Sequence, residues 1–173
     1  MYPANYFGLF PPFPRKDTVF VAMSFDEQFE KRWTDVIGPA IANVKPNGNA
    51  LAAIRVDSRR ISDSILTEIL SGIGTARLVL ADVTTIGYMD GGRAIRNANV
   101  LYEVGLAHAQ RLPEEVLLFR SDNDNLLFDV ANVRVNTYAP DQAPDEARKL
   151  ISDCVEAALR EVDLRRNLSD QRS

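Results

Sequence analysis

The sequence predicts a three-layer α/β fold, a five-stranded parallel sheet with helices on both faces. Three observations carry this. Short, almost continuous apolar runs recur, as in Thr18-Val19-Phe20-Val21-Ala22-Met23 and Arg77-Leu78-Val79-Leu80-Ala81, the pattern of strands buried on both faces. Between them lie stretches with apolar residues at helical spacing, such as Ile61, Ile65, Leu66, Ile69, Leu70 and Ile73. The two kinds of segment alternate, which implies parallel strands joined by crossover helices. With 173 residues, 46% of them hydrophobic, the chain can bury one full core.

Each element follows in order. Residues 1–17 read as an aromatic, proline-rich arm with Tyr2, Tyr6, Phe7, Phe10 and Phe13. Its prolines exclude a regular helix. Its rings argue for packing, either on its own domain or on a second subunit. The folded domain is expected over 18–163. Its first strand, Thr18 to Met23, ends at Ser24-Phe25-Asp26. Glu27 to Val44 has helical spacing through Phe29, Trp33, Val36, Ile37 and Ile41, with a kink expected at Gly38-Pro39. Leu51 to Val56 is a second strand, ended by Asp57. The second helix should stop near Gly72 or Gly74, and the third strand ends at Asp82.

A glycine-containing loop is then expected from Val83 to Asn97, long for a compact domain. A helix follows, then a fourth strand (Glu115 to Phe119), a polar turn and a fifth strand (Val133 to Thr137). Asp145 to Val162 closes the domain as a helix, and 164–173 is expected to be a flexible tail. Right-handed crossovers among five strands give the order 2-1-3-4-5 of flavodoxin-like folds.

Composition narrows the function. A net charge of −4 supplies no general attraction to nucleic acid or to an anionic membrane. Cys154 and His108 are the only residues of their kinds, so an internal disulfide and multi-cysteine or multi-histidine metal sites are excluded. No apolar run approaches the roughly 20 residues that span a bilayer. Residues 1–14 lack a basic leader and a continuous apolar segment, so a cytoplasmic location is the expectation. GxGxxG, GxxxxGK[ST] and GxSxG motifs are absent, against a dinucleotide redox domain, a P-loop enzyme or a nucleophile-elbow hydrolase.

In an open parallel sheet, ligands bind at the carboxyl ends of the strands, where helix N-termini also lie. This rule gathers Ser24, Phe25, Asp57, Arg59, Asp82, Asn97, Asn99 and Glu103 around one crevice, with Arg93 and Arg96 on the loop that could close over it. Arg59 and Arg60 at a helix start oppose its dipole, which favours an anionic ligand such as phosphate. Asn97 or Asn99 can cap the next helix. On that helix Val100, Val104 and Ala107 share one face, and Glu103 lies on or beside it. A carboxylate there costs free energy unless it is paired or solvated in a cleft, and the nearby positive helix end should help it ionise. His108, five residues on, is about 140° round the helix and forms no pair with Glu103. Cys154 falls on the apolar face of the last helix and reads as core.

The stretch Asn97-Ala98-Asn99-Val100-Leu101-Tyr102-Glu103-Val104-Gly105-Leu106-Ala107-His108-Ala109 resembles the nucleoside 2-deoxyribosyltransferase-like and bacterial TIR-like nucleotide-binding families, where the form is close to N-P-N-V-x-Y-E-L-G-x-A-H-A. The resemblance extends to Val19-Phe20-Val21-Ala22-Met23-Ser24-Phe25, Ala81-Asp82-Val83-Thr84 and Phe128-Asp129-Val130. It implies a flavodoxin-like (TIR-like) domain with Glu103 as the catalytic carboxylate at an anomeric carbon. Asp82 would contact the sugar or assist the leaving group. Ala98 and Ser24 each stand where a proline is usual, and the Val83–Asn97 loop is enlarged.

Three functions follow as expectations. One is an N-glycosidase or transglycosidase acting on NAD or another nucleotide, with NAD a substrate and no cofactor required. Resemblance alone adds a role in antiphage defence. Another is a non-catalytic nucleotide sensor or oligomerisation domain. The third is a deoxyribosyltransferase of nucleotide salvage. Arg93 and Arg96 favour a phosphorylated substrate, and the resemblance implies a homo-oligomer.

Overall fold

The structure, a computed structural model, describes residues 15–56, 65–125 and 133–170. It is the expected three-layer α/β architecture. The parallel strands are β1 (Lys16–Ala22), β2 (Ala52–Ile54), β3 (Ala76–Asp82), β6 (Val116–Arg120) and β7 (Val135–Thr137). They lie in the order β2-β1-β3-β6-β7. Counting only these five, the order is the expected 2-1-3-4-5. Helix α1 (Gly38–Asn43) and the closing helix α4 (Pro144–Asp170) cover one face. Helices α2 (Ile65–Thr75) and α3 (Ala98–Gln110) cover the other.

The two-residue period of a strand explains this layering. On β1, Val19 and Val21 enter the core under α1 and α4, while Phe20 and Ala22 enter the core under α2 and α3. On β3, Leu78 and Leu80 face the first core, and Val79 and Ala81 the second. Central strands therefore need apolar residues at every position.

Four details differ from the sequence-based expectation. First, Val83 to Asn97 is no irregular loop. Thr85–Tyr88 (β4) and Ala94–Arg96 (β5) pair antiparallel as a hairpin. Gly91 and Gly92, at φ of 88° and 78°, make its turn in the left-handed region that glycine enters without strain. Second, α2 runs through Gly72 and Gly74 to Thr75. Its end is held by Arg111, whose Nη1 donates to the carbonyls of Ile73 and Ala76 at 2.8 Å each. Buried Glu115 accepts from Arg111 Nε at 3.0 Å and from Arg15 Nη1 at 2.7 Å, tying together the amino ends of β1, β3 and β6.

Third, 164–170 is no flexible tail, because α4 continues through it to Asp170. Fourth, the helix expected over Glu27 to Val44 is built in three parts. A 3₁₀ turn spans Glu27–Phe29, a π-helical segment spans Arg32–Ile37, and α1 follows. Pro39 has no N–H to give to the carbonyl of Asp35, four residues back. Arg148 Nη1 of α4 donates to that carbonyl at 2.6 Å instead, and Gly38 N–H reaches five residues back to Trp33. The expected kink is thus a widened turn closed by a neighbouring helix. Among the described residues no helix is long and apolar enough to cross a membrane.

Helix α2 approaches the sheet through Gly72, where an added Cβ would stand 2.3 Å from Phe20 Cδ2. Phe20 is fully buried, so it cannot swing into solvent. Gly72→Ala should therefore lower the unfolding free energy by about 1–3 kcal/mol, read as a lower urea midpoint at unchanged slope. An unchanged midpoint would show that α2 shifts freely on the sheet.

Candidate functional site

The carboxyl edge of the sheet holds a buried polar network centred on Asp82, the last residue of β3. Tyr138, just after β7, donates its hydroxyl to Asp82 Oδ2 at 2.7 Å. Arg32 Nη1 donates to the same oxygen at 3.4 Å. The other oxygen, Oδ1, accepts from the backbone N–H of Thr84 at 3.0 Å and from the Thr84 hydroxyl. The carboxylate is thus met by four donors while only 6% of the residue is exposed.

Arg32 is placed by the π-helical segment that it begins. Its Nε and Nη2 grip the two oxygens of Asp141 at 3.2 and 2.6 Å, and its guanidinium lies 4.6 Å from the Phe29 ring centroid. Burial works against its charge, but the hydrogen bond to Asp141 and the charges of Asp82 and Asp141 prevail, so its pKa is raised. Burial, then the charge of Asp82, also push the Tyr138 phenol well up. Tyr138 therefore stays a neutral donor.

The network continues to β6 and the hairpin. Ser121 N–H donates to Thr84 Oγ1 at 3.0 Å. Arg96 Nη2 donates to Asp122 Oδ1 at 3.0 Å, and Arg96 also bonds the carbonyls of Val83 and Asp124. Burial raises the Asp122 pKa, but Arg96 and the N–H groups of Thr85 and Asp124 outweigh it, and the net shift is downward. Thr85 and Tyr88 donate their hydroxyls to Asp124 at 2.8 and 3.0 Å. Arg96, expected to meet substrate, is committed to clamping the hairpin onto the loop after β6.

Glu103 is the opposite kind of acid. Asn97 caps α3, its side-chain oxygen accepting from the N–H groups of Asn99 and Val100 at 3.0 and 3.3 Å. This sets Val100, Val104 and Ala107 into the core. Glu103 comes on the second turn, half-buried. Its pKa is pushed up to about 7, caused by burial. The expected help from the helix end is therefore outweighed by desolvation. Among the described residues it has no hydrogen-bond or ion-pair partner.

The remaining candidates divide. Ser24 is buried and its Oγ accepts from Asp26 N–H at 3.3 Å. The Phe25 ring centroid lies 4.9 Å from the Arg55 guanidinium, which also sits 4.8 Å from the Trp33 ring centroid. Arg55 Nη2 also donates to both Glu30 oxygens, at 2.9 and 2.8 Å. Asn99 and Arg93 are exposed. Asp57 and Arg59 lie outside the described residues, as does the Phe128-Asp129-Val130 match. His108 is half-buried with its pKa lowered by burial, and burial raises the Cys154 thiol, in keeping with structural roles for both. No group of three or more His, Cys, Asp or Glu among the described residues could hold a metal ion.

Sequence reasoning missed Arg32, Tyr138 and Asp141. Arg32 carried a signal. It stands three residues after Phe29 and four before Val36, a charge on an apolar helix face, the pattern that drew attention to Glu103. Asp141, on the turn before α4, carried none.

No family model matches the chain, and no curated protein matches it. Among solved structures it is similar to the metal-soaked Flv1 flavodiiron core from Synechocystis sp. PCC6803, with a TM-score of 0.54 and 15% identity. The alignment covers 83% of this chain and 36% of the flavodiiron chain, so the present chain spans about a third of that neighbour. The likeness establishes the flavodoxin-like fold.

The raised pKa of Glu103 has a consequence for stability. The folded state holds this proton more tightly than the unfolded chain does. Below the ordinary value of 4.5 both states are protonated and nothing is lost. As pH rises from 4.5 to about 7 the native state is progressively penalised, and above 7 the penalty is complete. Glu103→Gln should therefore melt at a higher temperature than the wild type at pH 8 and at the same temperature at pH 4. Equal melting at both pH values would show that Glu103 is fully solvated.

Proposed function

We propose that the chain is an N-glycosidase or transglycosidase that cleaves the N-glycosidic bond of NAD or another nucleotide, with Glu103 as the attacking carboxylate. One observation carries the reading. Glu103 is half-buried near the carboxyl edge of the sheet, its pKa is raised to about 7, and no described residue engages it. A desolvated, unengaged carboxylate has a cost and no visible structural return, and such groups concentrate where chemistry is done.

The chemistry suits an anomeric centre. Ionised Glu103 adds to the sugar C1′ as the C1′–N bond breaks, and the bonding pair leaves with the base nitrogen. From NAD this releases neutral nicotinamide, so no proton donor is needed. The resulting glycosyl ester is resolved by water or by a second acceptor. Asp82 acts as a positioning residue in this reading. Its carboxylate is occupied by Arg32, Tyr138 and Thr84, and it fixes the edge of the crevice on which the sugar would lie. Arg93, exposed on the hairpin, is the cation suited to a substrate phosphate. A homo-oligomer that completes the crevice is part of the same proposal.

The test is product analysis with NAD, and separately with a nucleotide mixture, for wild type beside Glu103→Gln. Release of nicotinamide or free base by the wild type should fall at least about 10³-fold in the variant. Because the ionised form attacks, wild-type turnover should rise through an acidic limb with a midpoint near 7. Base exchange between two nucleosides faster than hydrolysis would move the assignment to a deoxyribosyltransferase. Full activity in Glu103→Gln would overturn the proposal, and tight nucleotide binding without any product would leave the crevice a sensor.

A further inference from the structure

A cavity of about 440 Å³ lies between the start of β6, the start of β7 and the C-terminal half of α4. Val116 opens β6 and Arg134 precedes β7, so this is the amino edge of the sheet, away from Asp82 and Tyr138. Pro113, Val116, Leu117, Cys154, Ala157 and Ala158 line it. Its charged neighbours favour neither sign, since Glu114 is paired with Arg165, and Glu161 and Arg134 are both exposed. Such a surface gains most from an apolar, uncharged occupant.

The chain carries such an occupant beside the cavity. Residues 1–14 lie outside the described residues, but their sequence holds no charged side chain and has rings at Tyr2, Tyr6, Phe7, Phe10 and Phe13. The next residue, Arg15, is anchored, its Nη1 donating to Glu115 Oε1 at 2.7 Å. Glu115 stands between two residues that line the cavity, Glu114 and Val116. The arm therefore joins the domain next to the cavity mouth. Extended chain spans about 3.3–3.6 Å per residue, so Phe13 and Phe10 come within about 7 and 17 Å of Arg15 along the backbone.

We infer that this cavity is the seat of the chain's own N-terminal arm, with the Phe10 and Phe13 rings inside it. The stretch Phe10-Pro11-Pro12-Phe13-Pro14 favours a polyproline II strap, because each proline fixes its own φ and confines the residue before it to extended backbone. That helix has three residues per turn. Phe7, Phe10 and Phe13 recur at that period and so share one face, whereas Tyr6 falls off it. A cavity of about 150 Å³ takes one benzene ring, so the present one has room for both phenyl groups. The short tether from Arg15 gives the arm a millimolar effective concentration, which favours its own chain over a second copy. The inference is independent of the glycosidase reading, because none of these residues belongs to the crevice at the opposite edge.

The test uses the full chain and two readouts. Cys154 lines the cavity and is the only cysteine, so the rate of thiol labelling at pH 8 reports this site alone. The double variant Phe10→Ser, Phe13→Ser should label at least about tenfold faster than the wild type, as expected when a protecting contact is lost. Tyr6→Ser should label at the wild-type rate. In the wild type, nuclear Overhauser effects should join the Phe10 and Phe13 rings to the methyl groups of Val116 and Ala158, which decides the matter even if the double variant fails to fold. In a sample mixed from two isotope-labelling patterns these contacts should stay within one chain. Contacts between chains would hand the cavity to the arm of a second copy and overturn the inference. An unchanged labelling rate in a folded double variant, an equal acceleration by Tyr6→Ser, or the absence of the ring-to-methyl contacts would each overturn it as well.

Discussion

The polar architecture at the carboxyl edge depends on the meeting of Arg32 and Asp82. Two buried charges at 3.4 Å would be a liability if either stood alone, since removing one partner of such a pair typically costs 3–5 kcal/mol. Here the two side chains are also bonded from several other elements. Asp141 brings in the approach to α4, Tyr138 the end of β7, and Thr84 the start of the hairpin. Ser121 then carries the connection to β6. Four stretches distant in sequence, around positions 32, 82–84, 121 and 138–141, are joined through this ion pair. The apolar cores need not specify that register, because packing of aliphatic side chains tolerates small slides that directional hydrogen bonds do not.

The two acids near this edge are treated in contrary ways. Asp82 is deeply buried and its carboxylate is fully solvated by protein donors. Glu103 is less buried, but no described residue compensates it, and its proton is held more tightly. In this chain one carboxylate is held by Arg32, Tyr138 and Thr84, and the other meets no described partner. The flavodoxin-like likeness bears on the sheet that positions them and leaves their chemistry to these local environments.

Much of the fold was legible in the sequence. Continuous apolar runs marked β1 and β3, and helical spacing marked α2, α3 and α4. Alternation along the chain then left the observed strand order. The Asn97 cap and the inward face of Val100, Val104 and Ala107 were also readable, because capping and periodicity are local. The hairpin was not legible as a hairpin. Its two strands are short, Arg93 interrupts the apolar pattern, and it is held by Arg96 and Asp124 rather than by its own turn alone. The network around Asp82 was half legible. A strand-ending aspartate can be seen in sequence, but its partners come from positions 32, 84 and 138 and no local rule joins them. The continuation of α4 past Leu164 was hidden by a charged, weakly apolar stretch that resembles a tail.

The π-helical segment has a consequence for the family of sequences that can fold this way. A π turn is an α-helix carrying one surplus residue. Deleting that surplus residue between Glu30 and Ile37 would relax the turn into ordinary α geometry and leave the helix on either side in phase, because the bulge is what absorbs the extra turn of about 100° from an added residue. The Gly38 N–H would then reach four residues back rather than five, while Pro39 would still leave a carbonyl in need of Arg148. A second deletion has no surplus to remove and would turn everything on its N-terminal side by about 100° relative to α1, carrying the Arg32 guanidinium away from Asp82. Among chains sharing the Arg32–Asp82 pair, this stretch should therefore vary in length by one residue and no more.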